Sequence, residues 1–394
     1  MNHPDLLLEA DRCVKCGICL PQCPTYKLTK DEGDSPRGRI SLIQAYANGH
    51  LTLEDTQYHL DRCLSCLACE AACPSGVKYS GLINTIREIR GEKSWITKQS
   101  HKLISNQPYR KSSRLALWLY RYSGIRQILR SIGSKQLRRL DALMPTNAKV
   151  GHWKKTYPTK TKPQGRVGLF TGCVGRISDR TGLNATITVL NHLGYEVVIP
   201  TNQGCCGALQ RHAGDNKTAQ QMSMQNQDAF NQDALDAIIY IASGCGAQLT
   251  QQVFSVPTWE ISHFLNSIEW PEGIDLHPLP YRVALHSPCT LKHQLKLGDQ
   301  PARLLNRIPQ IQLTPLTEID CCGAAGSYLL EQPTLADALR DRAIECIQSV
   351  EPEFLATSNS GCALHLASGL REKTEKRRVV HPIELIEMSL TRTN

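Results

Sequence analysis

The stretch CVKCGICLPQCP, residues 13–24, returns 50 positions later as CLSCLACEAACP, residues 63–74. Each copy reads C-x2-C-x2-C-x3-C-P. Three thiolates on one tight loop can grip three corners of an iron–sulfur cube. The fourth cysteine opens a helix and points away, so it serves the other cube. The spacing predicts crossed ligation of two 4Fe-4S clusters. Cys13, Cys16, Cys19 and Cys73 hold the first, and Cys63, Cys66, Cys69 and Cys23 hold the second. Pro24 and Pro74 suit the turn past each fourth ligand, because proline fixes φ and needs no partner for an N–H. Gly17 lets the backbone approach inorganic sulfide. A zinc ribbon uses two C-x2-C knuckles and has no use for a third cysteine at the next x2 spacing.

Outward from this array, 39 residues separate the two motifs, too many for a hairpin. Ser35-Pro36 is an N-cap followed by proline at the first helical position, and Arg37 to Ala47 reads helical up to Asn48-Gly49. Thr52-Leu53-Glu54-Asp55 resembles a capping box for a second helix running into Asp61. Residues 1–90 therefore read as a helical ferredoxin domain.

A second repeat follows. Cys173, Cys205 and Cys206 recur at Cys289, Cys321 and Cys322, shifted by 116, and Cys245 recurs at Cys362, shifted by 117. Short apolar runs precede these cysteines: Arg166 to Phe170, Tyr195 to Pro200 and Ile238 to Ala242 in the first copy. Arg282 to Leu285, the Thr314-to-Ile319 region and Phe354 to Thr357 do so in the second. Helical stretches such as 180–193 alternate with them, which implies parallel α/β sheets. Open sheets of this kind gather ligand sites at the carboxyl ends of their strands. Adjacent thiols in a reducing compartment seldom pair, so each set of four reads as a metal site. Only Cys346 is left over, as a packing residue. His212, His286 and His293 lie near cysteines and read as structural histidines.

The 394-residue chain is 41% hydrophobic and 21% charged, a globular composition. Its 17 cysteines without a signal-peptide pattern argue against a secreted disulfide scaffold and for metal or redox work. Net charge is +18 over residues 74–166 and −9 over the rest. The basic linker, residues 91–165, includes an amphipathic basic pattern from Arg114 to Arg139 and an exposed stretch, Pro158 to Gly165. Packing across the later domains is the favoured reading of that helix, with anionic lipid as the rival. No run spans a bilayer. The expectation is a cytoplasmic protein, at most peripheral on the inner membrane, with no nucleic-acid partner.

The pattern C-x31-CCG-x37-C and its second copy, with CPTYKL, SPRGRISLI, HLDRCLSCLACEAACPSGVKY, ASGCGA, CTLKH and CCGAAGSYLL, resembles the glycolate oxidase iron–sulfur subunit family. The resemblance covers essentially the whole chain. It implies an α+β multidomain protein: a helical two-cluster ferredoxin domain, then two tandem α/β cysteine-rich CCG domains with parallel sheets, residues 166–266 and 282–394. It also implies a non-cubane iron–sulfur cluster or zinc at Cys173, Cys205, Cys206 and Cys245, and at Cys289, Cys321, Cys322 and Cys362. The heterodisulfide reductase form has a further cysteine three residues on. Here Gln248 and His365 occupy those positions, and His365 is a candidate replacement ligand at the second site.

No glycine-rich dinucleotide fingerprint follows a strand and no P-loop is present. Clusters pass single electrons, whereas oxidising an alcohol removes two, and a flavin can split the pair. The family therefore implies an electron-transfer subunit without catalytic residues of its own. Its FAD would sit on partner flavoprotein subunits that oxidise glycolate to glyoxylate, and quinone would serve as a non-oxygen acceptor. The alternatives are a lactate or glycerol-3-phosphate dehydrogenase subunit, or a CCG domain that cleaves disulfides itself.

Overall fold

The Ser35 hydroxyl accepts from Gly38 N at 2.9 Å and starts a helix, Pro36–Ala47, whose Ile40, Ile43 and Ala47 repeat at helical spacing and are buried. Thr52 and Asp55 close a reciprocal capping box on the next helix, Leu53–Leu60. The helix Tyr79–Arg90 adds Leu82, Ile83 and Ile86 to the same core, against which Cys13, Cys69 and Cys73 pack. Shorter helices, Pro4–Ala10, Pro24–Thr29 and Ala68–Ala71, complete this domain. The computed structural model describes residues 4–91, 99, 120, 139, 141–144, 153–159, 161–231, 234–373 and 377–391. Most of the amphipathic pattern over 114–139 lies outside them.

Two sheets follow. The first has the order β1-β3-β2-β4-β5, from β1 (Thr156–Tyr157), β2 (Gly165–Phe170), β3 (Tyr195–Val198), β4 (Ala237–Tyr240) and β5 (Thr258–Glu260). All its pairs are parallel except β1 with β3. The second is parallel throughout, in the order β7-β6-β8-β9, from β6 (Arg282–His286), β7 (Gln312–Pro315), β8 (Phe354–Thr357) and β9 (Arg378–Val380). The segment before residue 158 contributes an edge strand to the first sheet. It is tied there by Thr156 and Tyr157 against Val198 and Val197, and by an Asn191 side chain that donates to the Tyr157 carbonyl at 3.0 Å. Two residues are too few to show the alternation by which a strand is read from sequence.

Alternation along β2 sends Val167 and Leu169 to one face and Phe170 to the other. The first face belongs to a core shared by both sheets, where Leu183, Leu190, Ile383 and Ile386 are fully buried. The last helix, Pro382–Thr391, packs on Arg180–His192 from the first repeat, so the two halves interlock. Each sheet's other face holds its cysteines, with Cys173, Cys205 and Cys206 in one small core and Cys322 and Cys362 in another.

The helical domain lies against this pair. Leu64 and Cys66 pack with Cys289, Cys321, Tyr328, Ala336 and Leu339. Gln294 Nε2 donates to the Ser65 carbonyl at 3.2 Å, and Lys27 pairs with Asp320 at 2.5 Å. At Gly214 (φ +90°) a Cβ would fall 2.1 Å from the Arg87 carbonyl, so this approach requires glycine.

Candidate functional site

Cys13, Cys16, Cys19, Cys69 and Cys73 line one hollow of the helical domain with Gly17, Arg37 and Tyr79. Cys23, Cys63, Cys66 and Cys69 line another with Thr25, Arg39, Leu64 and Tyr79. The first hollow thus takes Cys13, Cys16 and Cys19 from one loop and Cys69 and Cys73 from the other, and the second takes Cys63, Cys66 and Cys69 from one and Cys23 from the other. The loops curl alike: Lys15 and Gly17 have φ of 58° and 85°, and their counterparts Ser65 and Leu67 have 50° and 59°. For Leu67 this left-handed backbone costs about 1–2 kcal/mol, an amount that Gly17 avoids.

The hollows differ in exposure and charge. The first opens to solvent, with Cys16 exposed and Val14 and Ile18 at 69% and 49% exposure. The second is enclosed, and two guanidinium groups are buried beside it. Arg39 donates through Nη1 to Cys23 Sγ at 3.9 Å and through Nη2 to Thr25 Oγ1 at 3.1 Å. Arg87 donates to Ser65 Oγ at 2.6 Å and to the Cys63 carbonyl at 2.8 Å. Tyr79 Oη donates to Cys63 Sγ at 3.6 Å. Burial alone would raise the Cys63 thiol, but Arg39 and Arg87 outweigh it and hold it below its ordinary value. Burial pushes Cys66 and Cys69 well up. Asp34 has no exposed surface; burial would raise its carboxyl, yet hydrogen bonds from His59 and Arg62 and the charge of Arg39 hold it below the ordinary value. None of these supporting side chains carries a cysteine-like signature; Thr25, Arg39, His59, Arg62 and Tyr79 lie in stretches that carry the family resemblance, whereas Asp34 and Arg87 lie outside them.

In the first sheet domain Cys173 Sγ lies 3.2 Å from Cys205 Sγ, and Cys206 links Cys205 to Cys245 by thiol contacts. In the second, Cys322 Sγ lies 2.7 Å from Cys362 Sγ, and Cys321 links Cys289 to Cys322. The strand ends bring each set of four together. All eight are free thiols. Contact with the Cys206 thiol, burial and the Cys206 charge drive Cys205 up to about 12 against the opposing Cys173 contact, and Cys206, Cys289, Cys321 and Cys322 are likewise raised well above the thiol value. Converging buried sulfurs that resist ionisation in one another's company fit a soft metal, whose charge would deprotonate them.

The histidines sort differently from the sequence expectation. His365 turns Nδ1 to the Cys322 carbonyl at 2.9 Å and Nε2 towards Asp337 Oδ1 at 3.5 Å. Asp337 in turn accepts a two-pronged contact from Arg139. Its place one helical turn after Cys362 suggested a ligand, but both ring nitrogens are directed to oxygen. The imidazole standing among sulfurs is His286, grouped with Cys322 and Cys362 with ligand atoms within 4.8 Å of one another. Burial, reinforced by Lys292, lowers His286 to about 3, so it is neutral at any physiological pH. The signal for it lay in the repeat: its counterpart 116 positions earlier is Phe170. His212 lines a hollow with Cys63 and Arg87 between the domains, and His293 sits half-buried in the π-helical turn Thr290–Gln294.

Comparison with known proteins agrees with this layout. Residues 9–77 match the 4Fe-4S dicluster domain, and residues 167–250 and 283–367 each match the cysteine-rich CCG domain. The probable glycolate oxidase iron–sulfur subunit of Bacillus subtilis is 31% identical, over 98% of this chain and 94% of that one. The glycolate oxidase iron–sulfur subunit of Escherichia coli is 33% identical, over 97% and 96%. Lactate utilization protein A of Geobacillus thermodenitrificans is 26% identical over 56% of this chain. A hypothetical protein from Helicobacter pylori shares the fold, with a TM-score of 0.56 at 12% identity over 100% of this chain and 74% of that one. Among the described residues no helix is long and apolar enough to cross a membrane.

Proposed function

We propose that this chain, which belongs to the family of glycolate oxidase iron–sulfur subunits, serves a flavoprotein that oxidises glycolate to glyoxylate, and hands the electrons to a non-oxygen acceptor such as quinone. It is an electron-transfer iron–sulfur subunit. Bound 4Fe-4S clusters supply reversible uptake of single electrons. Cys13, Cys16, Cys19 and Cys73 hold one cluster, and Cys63, Cys66, Cys69 and Cys23 the other. Arg39, Arg87 and the Tyr79 hydroxyl offset the negative charge of the enclosed thiolates. The open loop around Val14, Cys16 and Ile18 gives a partner close access to the first cluster. The two CCG thiol sets each bind a metal, in a non-cubane iron–sulfur cluster or as zinc.

The observation that carries this reading is the pairing of two hollows, each walled by cysteines of both loops. The relationship to glycolate oxidase subunits supports glycolate as the substrate. The test is anaerobic reduction, followed by EPR, of the chain mixed with its flavoprotein partners and offered glycolate, lactate or glycerol 3-phosphate in turn. Glycolate should reduce the clusters fastest. Faster reduction by either other substrate would reassign the flavoprotein. Cleavage of a disulfide by the chain alone, with an artificial donor, would move the chemistry into the CCG domains.

A further inference from the structure

Among the described residues three histidines are buried beyond 97%. Two spend both ring nitrogens on oxygen or nitrogen partners. His381 meets the Ile241 carbonyl at Nε2 (2.9 Å) and the Ile383 amide at Nδ1 (3.2 Å), and His365 meets the Cys322 carbonyl and Asp337. These are structural histidines. His286 is placed otherwise. It ends β6, its Nδ1 lies 2.9 Å from Thr357 Oγ1 at the end of β8, and the two residues are register partners in the sheet. A ring nitrogen held by a neighbouring oxygen fixes the ring plane and the tautomer and leaves the other nitrogen to a metal, the arrangement by which metal-bound imidazoles are oriented. The ring stands with Cys322 and Cys362, and all three are buried.

We propose that His286 is a ligand of the second CCG metal, making that centre a mixed imidazole–thiolate site built from His286, Cys289, Cys321, Cys322 and Cys362. The proposal rests on the reading that the thiol set binds metal. The first CCG site, where Phe170 ends the matching strand beside Tyr240, is then thiolate without imidazole. His286 adds a neutral nitrogen donor to the four thiolates of this centre, a donor that the first centre lacks. The two CCG centres therefore differ in chemistry although their cysteines repeat. The imidazole belongs to the centre whose Cys289 and Cys321 pack against Cys66 of the enclosed ferredoxin loop.

The test is anomalous diffraction from crystals of the full chain, prepared anaerobically, at the iron and zinc edges. The expected map has a metal peak among these five residues with His286 Nε2 at about 2.0–2.1 Å from the metal. A metal peak bound by the cysteines with the imidazole turned away overturns the proposal and leaves the metal reading intact. The absence of any peak there overturns the metal reading itself. His286→Phe, which copies the first site, supplies an independent check. It should keep the metal, as the first site does, but lose the nitrogen donor from the metal-edge X-ray absorption spectrum, while the EPR signals of the ferredoxin clusters persist. An unchanged metal-edge spectrum in that variant would contradict the assignment.

Discussion

Each of the two repeats has kept its cysteines and made its copies unlike. The first ferredoxin loop is open, with Cys16 exposed; the second is enclosed, with Arg39, Arg87 and Tyr79 around Cys23 and Cys63. The first CCG site packs with Phe170, whereas the second packs against Cys66 and carries His286. The unlike members meet: the enclosed loop sits against the histidine-bearing site. Thiol spacing sets what can be bound, and the packing between domains sets which sites communicate. One ferredoxin loop faces outward and the other inward, where Cys66 packs against the second CCG site and Cys63 shares a hollow with His212 of the first CCG domain.

This asymmetry can be broken deliberately. Cys321→Ser with Cys322→Ser should alter the EPR lines of the enclosed cluster and slow glycolate-driven reduction on the order of tenfold or more, as loss of metal-supporting groups does. The matching pair Cys205→Ser and Cys206→Ser should leave those lines in place. Equal effects from both pairs would remove the distinction between the halves.

Arg39→Met tests the enclosed loop. It strips Asp34 of a buried counter-charge 3.6 Å away and Cys23 of a donor. About 3 kcal/mol of stability should be lost, the scale for breaking a buried pair, and the enclosed cluster should bleach first in denaturant. Glu260 probes the first CCG domain. Burial raises its carboxyl from 4.5 to about 7, so the folded state prefers the protonated form. The resulting stability is fully present below the unfolded value of 4.5 and is lost as pH rises through about 7. The loss should approach roughly 3 kcal/mol, and Glu260→Gln should flatten that part of the denaturation-against-pH curve. Lys27→Ala removes the half-buried pair with Asp320 at the joint between the ferredoxin domain and the second CCG domain. Its effect should stay below about 1 kcal/mol and fade in high salt.

Much of this was legible in the sequence because thiol ligation demands fixed spacing and helix starts demand particular caps. Cys13 to Cys23, Ser35-Pro36 and the Thr52–Asp55 box each read locally, and the structure places helices from Pro36 and Leu53 accordingly. Phe354 to Thr357 also reads correctly, since a run buried on both faces stands out. The short edge strands Thr156–Tyr157 and Arg378–Val380 do not, because their pairing is decided by distant partners. His365 looked like a ligand from its offset to Cys362, but position along a helix does not say where a ring nitrogen points, and a carbonyl and a carboxylate hold it. His286 is three residues from Cys289 yet reaches Cys322 and Cys362 only through the parallel register of β6 and β8. Comparing the repeat copies position by position, histidine against Phe170, exposes it.

The crossed sharing of cysteines between the ferredoxin loops is the claim on which the account rests. Anaerobic Cys73→Ser protein, reduced with dithionite and measured by EPR beside iron and acid-labile sulfide analysis, tests it directly. The cluster of Cys13, Cys16 and Cys19 should be lost or altered while the cluster of Cys63, Cys66 and Cys69 persists. Loss of the latter with the former intact would contradict it.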